Sequence, residues 1–306
     1  MISVVIPVYN RPRAAHRAAR SALAQQLDAG ETLEVVLVDD ASEPALEAGG
    51  LERTRIVRLE RNAGPAAARN HGVAASRGEN IAFLDSDDVW LPGKLARQIA
   101  VFRSLAASGD ASRLAVVCGF YYPERATGRL EARMPMPGRS TLEFASGCWT
   151  APGTVFMAHR SAFDRVGPLD ERLRRLEDYD WLLRFGLAGG RLEVAEHLGA
   201  VIAPSGLARS QIVGENIARL QLKYGVDGEH RLQPAVARRF AAYLALETAA
   251  AALGEGQYAR GLKSLAHSVV LKPRLTGALL PFWTRSAEVP AKIAERYREL
   301  AGGDGG

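Results

Sequence analysis

The chain contains little cysteine and no long apolar run. Its two cysteines, Cys118 and Cys148, are too few and too isolated for a disulfide framework or a cysteine-rich zinc site. The roughly 18 consecutive apolar residues that span a bilayer are also missing. The N-terminus, MISVVIPVYNRP, lacks the basic leader and apolar core of a signal peptide. We therefore expect a protein of the reducing cytoplasm.

The chain also carries only a small net charge. The formal net charge is +5, and all of it comes from residues 201–306, which hold 14 Lys and Arg against 9 Asp and Glu. A modest excess is typical of a solvated basic face, and it can also favour an anionic membrane surface. We expect no nucleic-acid partner. The 306 residues suffice for one large domain, or one domain with a smaller appendage.

The first 120 residues alternate between apolar runs and helical segments. This alternation predicts an α/β fold with a mostly parallel central sheet and helices on both faces. Helical patterns dominate later, at residues 177–189 and over most of 208–272. The predicted strands cover residues 2–9, 33–42, 54–60, 80–85 and 114–120, and the predicted helices between them cover residues 12–27, 64–76 and 92–105.

Polar residues follow four of the predicted strands. They are Asn10, Asp39–Asp40, Asn62 and Asp85–Asp88. In open α/β sheets, ligands bind in the crevice outside the carboxyl ends of the strands. The sequence therefore predicts a ligand site at one rim of the sheet.

The stretch IAFLDSDDVWLPGKL concentrates three carboxylates, Asp85, Asp87 and Asp88, after an apolar strand. Carboxylates with open coordination positions can hold Mg²⁺ or Mn²⁺ together with a phosphate group. The alternative is a turn that caps the helix beginning near Pro92. Sequence reasoning leaves both open.

A second acidic group, Glu177, Asp178 and Asp180, stands at the start of a predicted helix. Acidic residues there can simply interact with the helix dipole. Together with a metal-type cluster, they also suit a two-substrate transferase, in which one carboxylate takes a proton from the attacking hydroxyl. A Rossmann dehydrogenase is disfavoured, because no G-x-G-x-x-G follows the first strand.

Five segments in order from Ile2 to about Arg184 resemble the family 2 glycosyltransferases, which have the nucleotide-diphospho-sugar transferase (GT-A) fold. They are VVIPVYNRP, VLVDDAS, RNAGPAAARNHGVAASRGENIAFLDSDDVWLPGKL, RSAFDRVGPLDERL and EDYDWLLR. The resemblance implies an enzyme that moves a sugar from a nucleotide-diphospho-sugar, with UDP-sugars favoured, to an acceptor hydroxyl. Because the sequence offers one candidate base and no well-placed second nucleophile, we expect a single displacement that inverts the anomeric configuration. A bacterial polysaccharide or another glycan, or a lipid-linked acceptor, would be compatible.

The resemblance also implies roles for individual residues on the donor side. Pro7 and Tyr9 would line the nucleobase and ribose pocket, and Asp39 would accept a hydrogen bond from uracil. Arg69 would lie near the base or the diphosphate. Asp85 and Asp87 match the Asp-x-Asp motif, with Asp87 as the ligand of Mn²⁺ or Mg²⁺ and Asp85 near the ribose or the metal-bound diphosphate.

On the acceptor side, Asp178 matches the general base. Four further residues are candidates for positioning the side chains that contact the ligands, namely Asp40, Asp88, Glu177 and Arg184. Trp149 could stack on a sugar or pack in the core. Other residues keep structural alternatives as well, namely a core role for Tyr9, a turn cap for Asp39, a helix cap for Asp178, and an ion pair of Arg69 with Asp39 or Asp85. A catalytically silent sugar-nucleotide-binding module and a nucleotidyltransferase are the rival functions.

We place the catalytic domain at residues 1–205, a helical region at 206–300 and a disordered tail at 301–306. The helical region is a candidate for homodimer formation or for contact with the inner face of the cell membrane. Its segment LKPRLTGALLPFWTRS combines Lys272, Arg274 and Arg285 with Phe282 and Trp283, as an interfacial element would.

Overall fold

One half of the central sheet is purely parallel. In this computed structural model, the strands β1 (Ile2–Val8), β2 (Leu33–Asp39), β3 (Thr54–Arg58) and β4 (Asn80–Phe83) lie in the order β3-β2-β1-β4. Val8 pairs with Asp39, so β1 and β2 end side by side. The described residues are 1–107, 109–123, 129–203, 209–272, 290–293 and 295, with the backbone alone at 283–286.

The other half of the sheet is mixed. The strand β8 (Met157–His159) is antiparallel to both β4 and β6 (Leu114–Pro123), so β6 runs parallel to β4. Beyond β6 lie β7 (Leu130–Pro135) and β10 (Trp283–Ser286), each antiparallel to its neighbour. A branch of the sheet is formed by β9 (Arg191–Val201), which is parallel to β6 and antiparallel to β5 (Val89–Trp90).

Helices follow β1, β3 and β4, as the alternation predicts, whereas β2 leads to β3 without a helix. The first three are α1 (Pro12–Leu23), α2 (Pro65–Ala75) and α3 (Lys94–Ala106). Proline stands in the first turn of α1 and α2, where a missing N–H costs nothing. Gly72 lets α2 lie against β1, because a Cβ there would come within 2.2 Å of Val5 Cγ1. The later helices are α4 (Thr141–Ala145), α5 (Pro152–Val155), α6 (Arg160–Val166), α7 (Glu177–Leu187), α8 (Ser210–Tyr224), α9 (Pro234–Gly254) and α10 (Tyr258–Leu271).

The predicted C-terminal helical region is present and shares the hydrophobic core of the sheet domain. Phe240 of α9 stacks on Tyr179 of α7, with 6.2 Å between ring centroids. The Tyr224 hydroxyl at the end of α8 donates to Asp180 Oδ1 at 2.8 Å. Aromatic stacking and a buried hydrogen bond therefore hold α8 and α9 against α7.

Several predictions about this region fall outside the described residues. They include the boundary at 205–206, the tail at 301–306, Arg274 and Phe282, and the side chains of Trp283 and Arg285. Lys272 is 6% exposed and therefore buried, whereas the predicted membrane contact would require it to be exposed. Within the described part of the chain, every helix is too short or too polar to cross a bilayer.

An unusual charge lies beneath the sheet. Lys94, at the start of α3, is fully buried; its Nζ donates to Gln98 Oε1 at 2.7 Å and sits 3.7 Å from the centre of the Trp90 ring. Burial lowers the pKa of Lys94 to about 8, with the nearby Cys118 acting in the opposite sense. The ammonium form therefore opposes folding.

We expect Lys94→Met to raise the free energy of unfolding near neutral pH by on the order of 2 kcal/mol, since a charge leaves the core. The unfolded lysine has a pKa of 10.5, so between pH 8 and 10.5 the unfolded state binds the extra proton. The free energy of unfolding of the wild type therefore rises with pH in that window, and the difference between Lys94→Met and the wild type becomes smaller. Urea unfolding of both proteins from pH 7 to 10 measures this; a pH-independent difference would contradict it.

Candidate active site

A cleft of about 920 Å³ opens at the carboxyl ends of the parallel strands. Loops after β1, β2 and β4 form one side, and the N-terminus of α7 together with α9 forms another. Most predicted site residues line it, namely Pro7, Tyr9, Asp40, Arg69, Asp85, Asp87, Asp88, Glu177 and Asp178.

The acidic loop after β4 sorts its three carboxylates by burial. The side chains of Asp85 and Asp87 are 38% and 26% exposed and line the cleft. Asp88 points inward, where its carboxylate accepts hydrogen bonds from the Thr154 hydroxyl and from Ala203 N, the latter at 2.8 Å. Burial, followed by the charges of Asp87 and Asp85, raises the pKa of Asp88 well above its usual value.

The turn of the alternative interpretation is present, since Asp88 N donates to Asp85 O at 3.1 Å, but the helix cap is wrong. The helix α3 begins after Gly93, and no side chain caps it. Burial and the neighbouring Asp85 instead raise the pKa of Asp87, an effect that Arg11 opposes through an ion pair. The carboxylates of Asp85 and Asp87 therefore lie close together at the cleft, and no helix N-terminus offsets their charge.

Arg69 joins the two acidic groups. Its guanidinium donates to Asp85 Oδ1 at 2.7 Å and to Glu177 Oε1 at 2.8 Å, while its side chain is only 7% exposed. Burial lowers the pKa of Arg69, but Asp85 and Glu177 more than offset that effect and raise it. One buried cation therefore fixes the start of α7 relative to the loop after β4.

The first turn of α7 carries the predicted base. Leu176, just before the helix, adopts a left-handed conformation with φ of 66°, which is uncommon for a bulky residue and is found at functional sites. Asp178 Oδ1 accepts from Tyr179 N at 2.7 Å, and Cys148 Sγ lies 3.9 Å from Asp178 Oδ2. Glu177 is buried beside Arg69, whereas Asp178 is partly exposed on the cleft wall.

The same helix places Asp180 and Arg184 away from the cleft. Asp180 Oδ2 accepts from Arg184 Nε at 3.0 Å. Arg184 also donates to the carbonyl oxygens of Val166 and Pro168 at 2.6 and 2.7 Å. Arg184 therefore braces α7 against the loop after α6, and it does not line the cleft.

At the β1 end of the cleft, Tyr9 is 48% exposed, so it is not a core residue. Asp40 accepts hydrogen bonds from Ala63 N at 2.7 Å and Gly64 N at 2.9 Å, and so shapes the loop that enters α2. Gly64 has φ of 93°, and a Cβ there would lie 2.7 Å from Arg174 Nη1. The guanidinium of Arg174 consequently lies against this loop, donating to Asn62 Oδ1 at 3.0 Å.

Asp39 lies behind this loop, outside the cleft lining. Its fully buried carboxylate accepts from Ser42 N at 2.9 Å, from Leu46 N at 3.1 Å and from Arg58. The hydrogen bond to uracil stays a prediction. The turn-forming contacts of Asp39 are present in the structure.

Trp149 belongs to the core. It is 3% exposed, packs 5.7 Å from the Phe144 ring and donates from Nε1 to Met136 O at 2.7 Å. A sugar-stacking role for Trp149 is therefore excluded by its burial.

Sequence reasoning missed several residues of the cleft wall. Arg11 belongs to the segment YNRP after β1. Only the folded structure shows that it lies beside the acidic loop. Tyr243 and Glu247 come from α9, where no motif points to a site. The missed side chains that line the cleft include Arg11, Tyr122, Arg133, Cys148, Arg174, Arg175, Tyr243 and Glu247, whereas Asn62, which the strand-end pattern placed at the rim, lines it as predicted.

The carboxylate oxygens of the acidic loop suit a divalent cation that is also coordinated by a bound ligand. Among the described residues, no three His, Cys, Asp or Glu side chains converge as a closed metal site. Mg²⁺ is commonly held by one or two carboxylates plus substrate phosphates, and so needs no such cage. Asp85 and Asp87 provide oxygen donors at the cleft, and burial, followed by the charge of Asp85, raises the pKa of Asp87. These residues therefore fit Mg²⁺ or Mn²⁺.

Topology and known structures together define the class. The α/β sheet with helices has the nucleotide-diphospho-sugar transferase (GT-A) fold, which confirms the predicted fold. A crystal structure of S. aureus TarS 1-349 in complex with UDP-GlcNAc matches with a TM-score of 0.56 and 18% sequence identity, over 98% of this chain and 90% of that one.

The family model described as Glycosyl transferase family 2 matches residues 3–167, more than half of the chain. The succinoglycan biosynthesis protein ExoO of Rhizobium meliloti (strain 1021) is 32% identical over 98% of this chain and 87% of that protein. ExoU of the same organism is 31% identical over 68% of this chain and 64% of its own length. The chain belongs to glycosyl transferase family 2.

Gly153 of α5 provides a test of the site geometry. A Cβ there would lie 2.3 Å from Asp85 Oδ2 and 2.7 Å from Arg69 Nη2, so alanine must displace the ion pair. We expect Gly153→Ala to lower the free energy of unfolding by about 1–3 kcal/mol.

Gly214 of α8 is the matched control, because its nearest neighbour would be 4.0 Å from a Cβ. Helix propensity alone should make Gly214→Ala more stable by about 0.5–1 kcal/mol. Thermal unfolding of both variants measures the two effects. Equal shifts of the same sign would mean that the Arg69–Asp85 contact does not constrain Gly153.

Proposed function

We propose that this chain transfers a sugar from a nucleotide-diphospho-sugar, with UDP-sugars favoured, to an acceptor hydroxyl in bacterial polysaccharide or glycoconjugate synthesis. The observation that carries the proposal is the Asp85–Arg69–Glu177 bridge, which holds the acidic loop and the Glu177–Asp178 pair at one cleft. The names of ExoO and ExoU, both succinoglycan biosynthesis proteins, support a polysaccharide product.

Donor binding would use the β1 side of the cleft. Pro7 and Tyr9 offer an apolar and aromatic wall for the nucleobase and ribose, and Asp40 holds the adjacent loop in place. The UDP-GlcNAc complex of TarS, which has this fold, supports a UDP-sugar as donor.

Asp87 and Asp85 would hold Mn²⁺ or Mg²⁺ against the diphosphate. When bound, the cation would neutralise the negative charge that develops on the leaving diphosphate. Arg69 keeps Asp85 oriented toward the cleft, and Arg11 does the same for Asp87. Binding the cation would therefore offset the repulsion between the carboxylates described above.

Asp178 would act as the general base. Arg69 neutralises Glu177, whereas no Lys or Arg among the described residues forms an ion pair with Asp178. Asp178 takes the proton of the acceptor hydroxyl, the oxygen bonds to the anomeric carbon, and the bond to the diphosphate breaks on the opposite face. One displacement inverts the anomeric configuration, which proton NMR of the product linkage would reveal.

Two rival functions would give different results in an assay of product release. A silent binding module would bind the nucleotide-sugar and release nothing, and a nucleotidyltransferase would exchange pyrophosphate. The partly exposed position of Asp178 on the cleft wall favours the transferase, since a binding module needs no base. A cytoplasmic location, contact with the inner membrane face and a homodimer through the C-terminal helices remain predictions.

We expect Asp178→Asn to lower UDP release from a UDP-sugar by at least about 100-fold, because the base is lost while its shape is kept. UDP binding should be unchanged. Asp227→Asn, at an exposed position of the described chain, is the control and should keep wild-type turnover. Full turnover by Asp178→Asn would assign the base to another group.

Metal dependence is tested separately by calorimetric titration of UDP with and without Mn²⁺. The wild type should bind UDP about tenfold or more tightly with Mn²⁺, since the cation offsets the charge of two carboxylates. Asp87→Asn should lose this gain, and Asp227→Asn should retain it. A gain that survives in Asp87→Asn would place the cation elsewhere, and equal binding with and without Mn²⁺ would remove the metal from the proposal.

A further inference from the structure

The most exposed large apolar side chains lie in the C-terminal helical region. Among the described residues, five of them are at least 60% exposed, namely Leu222, Val226, Tyr258, Leu262 and Val270. The last three belong to α10, although a helix of a globular protein usually turns its apolar side chains toward the core. Clustered apolar surface of this kind marks a contact with another protein or with a membrane.

Helix α10 is held against α9 through its small residues. Gly261 and Ser268, seven positions apart, are the buried residues of the helix. A Cβ at Gly261 would lie 2.5 Å from Leu253 Cγ, and Ser268 Oγ donates to Ala242 O at 2.8 Å. The close contact therefore uses glycine and serine, while large apolar side chains of α10 stay exposed.

The exposed side chains of α10 fall into two adjacent rows, each with the three- and four-residue spacing that keeps side chains on one helix face. The apolar row consists of Tyr258, Ala259, Leu262, Ala266 and Val270. The basic row consists of Arg260, Lys263 and His267. The sequence of α10 contains no Asp or Glu. An apolar face bordered by cations is typical of helices that lie in the plane of a membrane interface.

The surroundings of the two rows add positive charge. Arg238 of α9 donates from Nη2 to Val270 O at 3.3 Å, which places a guanidinium at the end of the apolar row. Glu255, just before α10, is already held by hydrogen bonds from Ser210 N at 2.7 Å and Gln257 Nε2 at 2.9 Å. The face formed by the two rows therefore presents cations and no carboxylate, which complements an anionic partner.

A groove of about 280 Å³ runs beside the basic row, between α8, α9 and α10. Lys263 and His267 line it together with Gln221 and Thr248. Ammonium, amide and hydroxyl groups can all donate hydrogen bonds to phosphate oxygens. The groove therefore suits the phosphate of a lipid headgroup, next to a row of apolar side chains that suits the start of the acyl chains.

We propose that α10 docks the protein on an anionic phospholipid surface, with the apolar row at the boundary between headgroups and acyl chains and the basic row against lipid phosphates. A helix in this orientation lies on the bilayer and does not cross it, in keeping with the length and polarity of the described helices. A second copy of the chain fits less well. A two-fold contact through the apolar row would bring two basic rows together without an opposite charge.

This surface differs from the membrane segment that the sequence predicts, LKPRLTGALLPFWTRS, because both rows end at Val270, before that segment begins. The inference does not depend on the proposed transfer reaction. It places the cleft near the lipid surface, because α9 holds α10 and also contributes Tyr243 and Glu247 to the cleft.

The test is vesicle flotation of the full chain, with vesicles of pure phosphatidylcholine and vesicles in which about one third of the lipid is phosphatidylglycerol. The wild type should bind the anionic vesicles at least about tenfold more tightly, and binding should weaken between about 0.1 M and about 0.5 M NaCl. Arg260→Gln/Lys263→Gln should weaken binding to anionic vesicles about tenfold or more and reduce its salt dependence. Leu262→Gln/Val270→Gln should weaken binding by a similar factor at both salt concentrations.

Two matched controls change the same residue types on other faces. Arg13→Gln/Arg20→Gln removes two exposed cations from α1, and Leu142→Gln/Leu187→Gln alters leucines that are 40% and 42% exposed on α4 and α7. Both should bind anionic vesicles within about twofold of the wild type, because neither changes α10. Thermal unfolding of all four variants checks that each is folded, which the exposed positions lead us to expect.

The inference is overturned if the wild type does not float with anionic vesicles, or if it binds both kinds of vesicle equally. It is also overturned if the α10 variants bind like the wild type, or if the α1 control loses as much binding as Arg260→Gln/Lys263→Gln. Light scattering on the same samples tests the second copy. A wild-type dimer that Leu262→Gln/Val270→Gln converts to a monomer, without vesicle binding by either, would assign the apolar row to self-association instead.

Discussion

The double ion pair of Arg69 is the contact on which the cleft depends. Asp85 comes from the parallel half of the sheet and Glu177 from a helix more than ninety residues later, and Arg69 bonds to both from a buried position on α2. A buried cation with two carboxylate partners is costly to break, because one lost partner leaves an uncompensated charge. The distance between the loop after β4 and the first turn of α7 is therefore set by a rigid element rather than by loop conformation.

Arg69 can make both contacts because small residues let backbones approach. Gly72 brings α2 against Val5 of β1, and Gly153 leaves room for Asp85 and Arg69 themselves. Behind the same cleft, Asp88 links the acidic loop to Thr154 and Ala203. The carboxylates that line the cleft are thus supported by buried polar groups that are hydrogen-bonded or ion-paired.

The C-terminal helices are part of this support. Tyr224 and Lys223 of α8 bond to Asp180, on the face of α7 opposite Asp178, while Phe240 of α9 stacks on Tyr179. These contacts make α9 continuous with the core and bring Tyr243 to the cleft. A helical region that appears in the sequence as an appendage is, in the fold, one wall of the site.

Local signals in the sequence, namely apolar runs, prolines and acidic clusters, are enough to predict the parallel strands, the helices between them and the polar residues at the carboxyl ends of the strands. They do not predict β7 or β9; β9, RLEVAEHLGAV, mixes charged and apolar residues without strict alternation. The burial of Asp39, the orientation of Arg184 away from the cleft and the position of Tyr243 and Glu247 at the cleft are visible only in the folded structure. These facts depend on contacts between segments distant in the chain, where long-range packing rather than local pattern sets each side chain's environment.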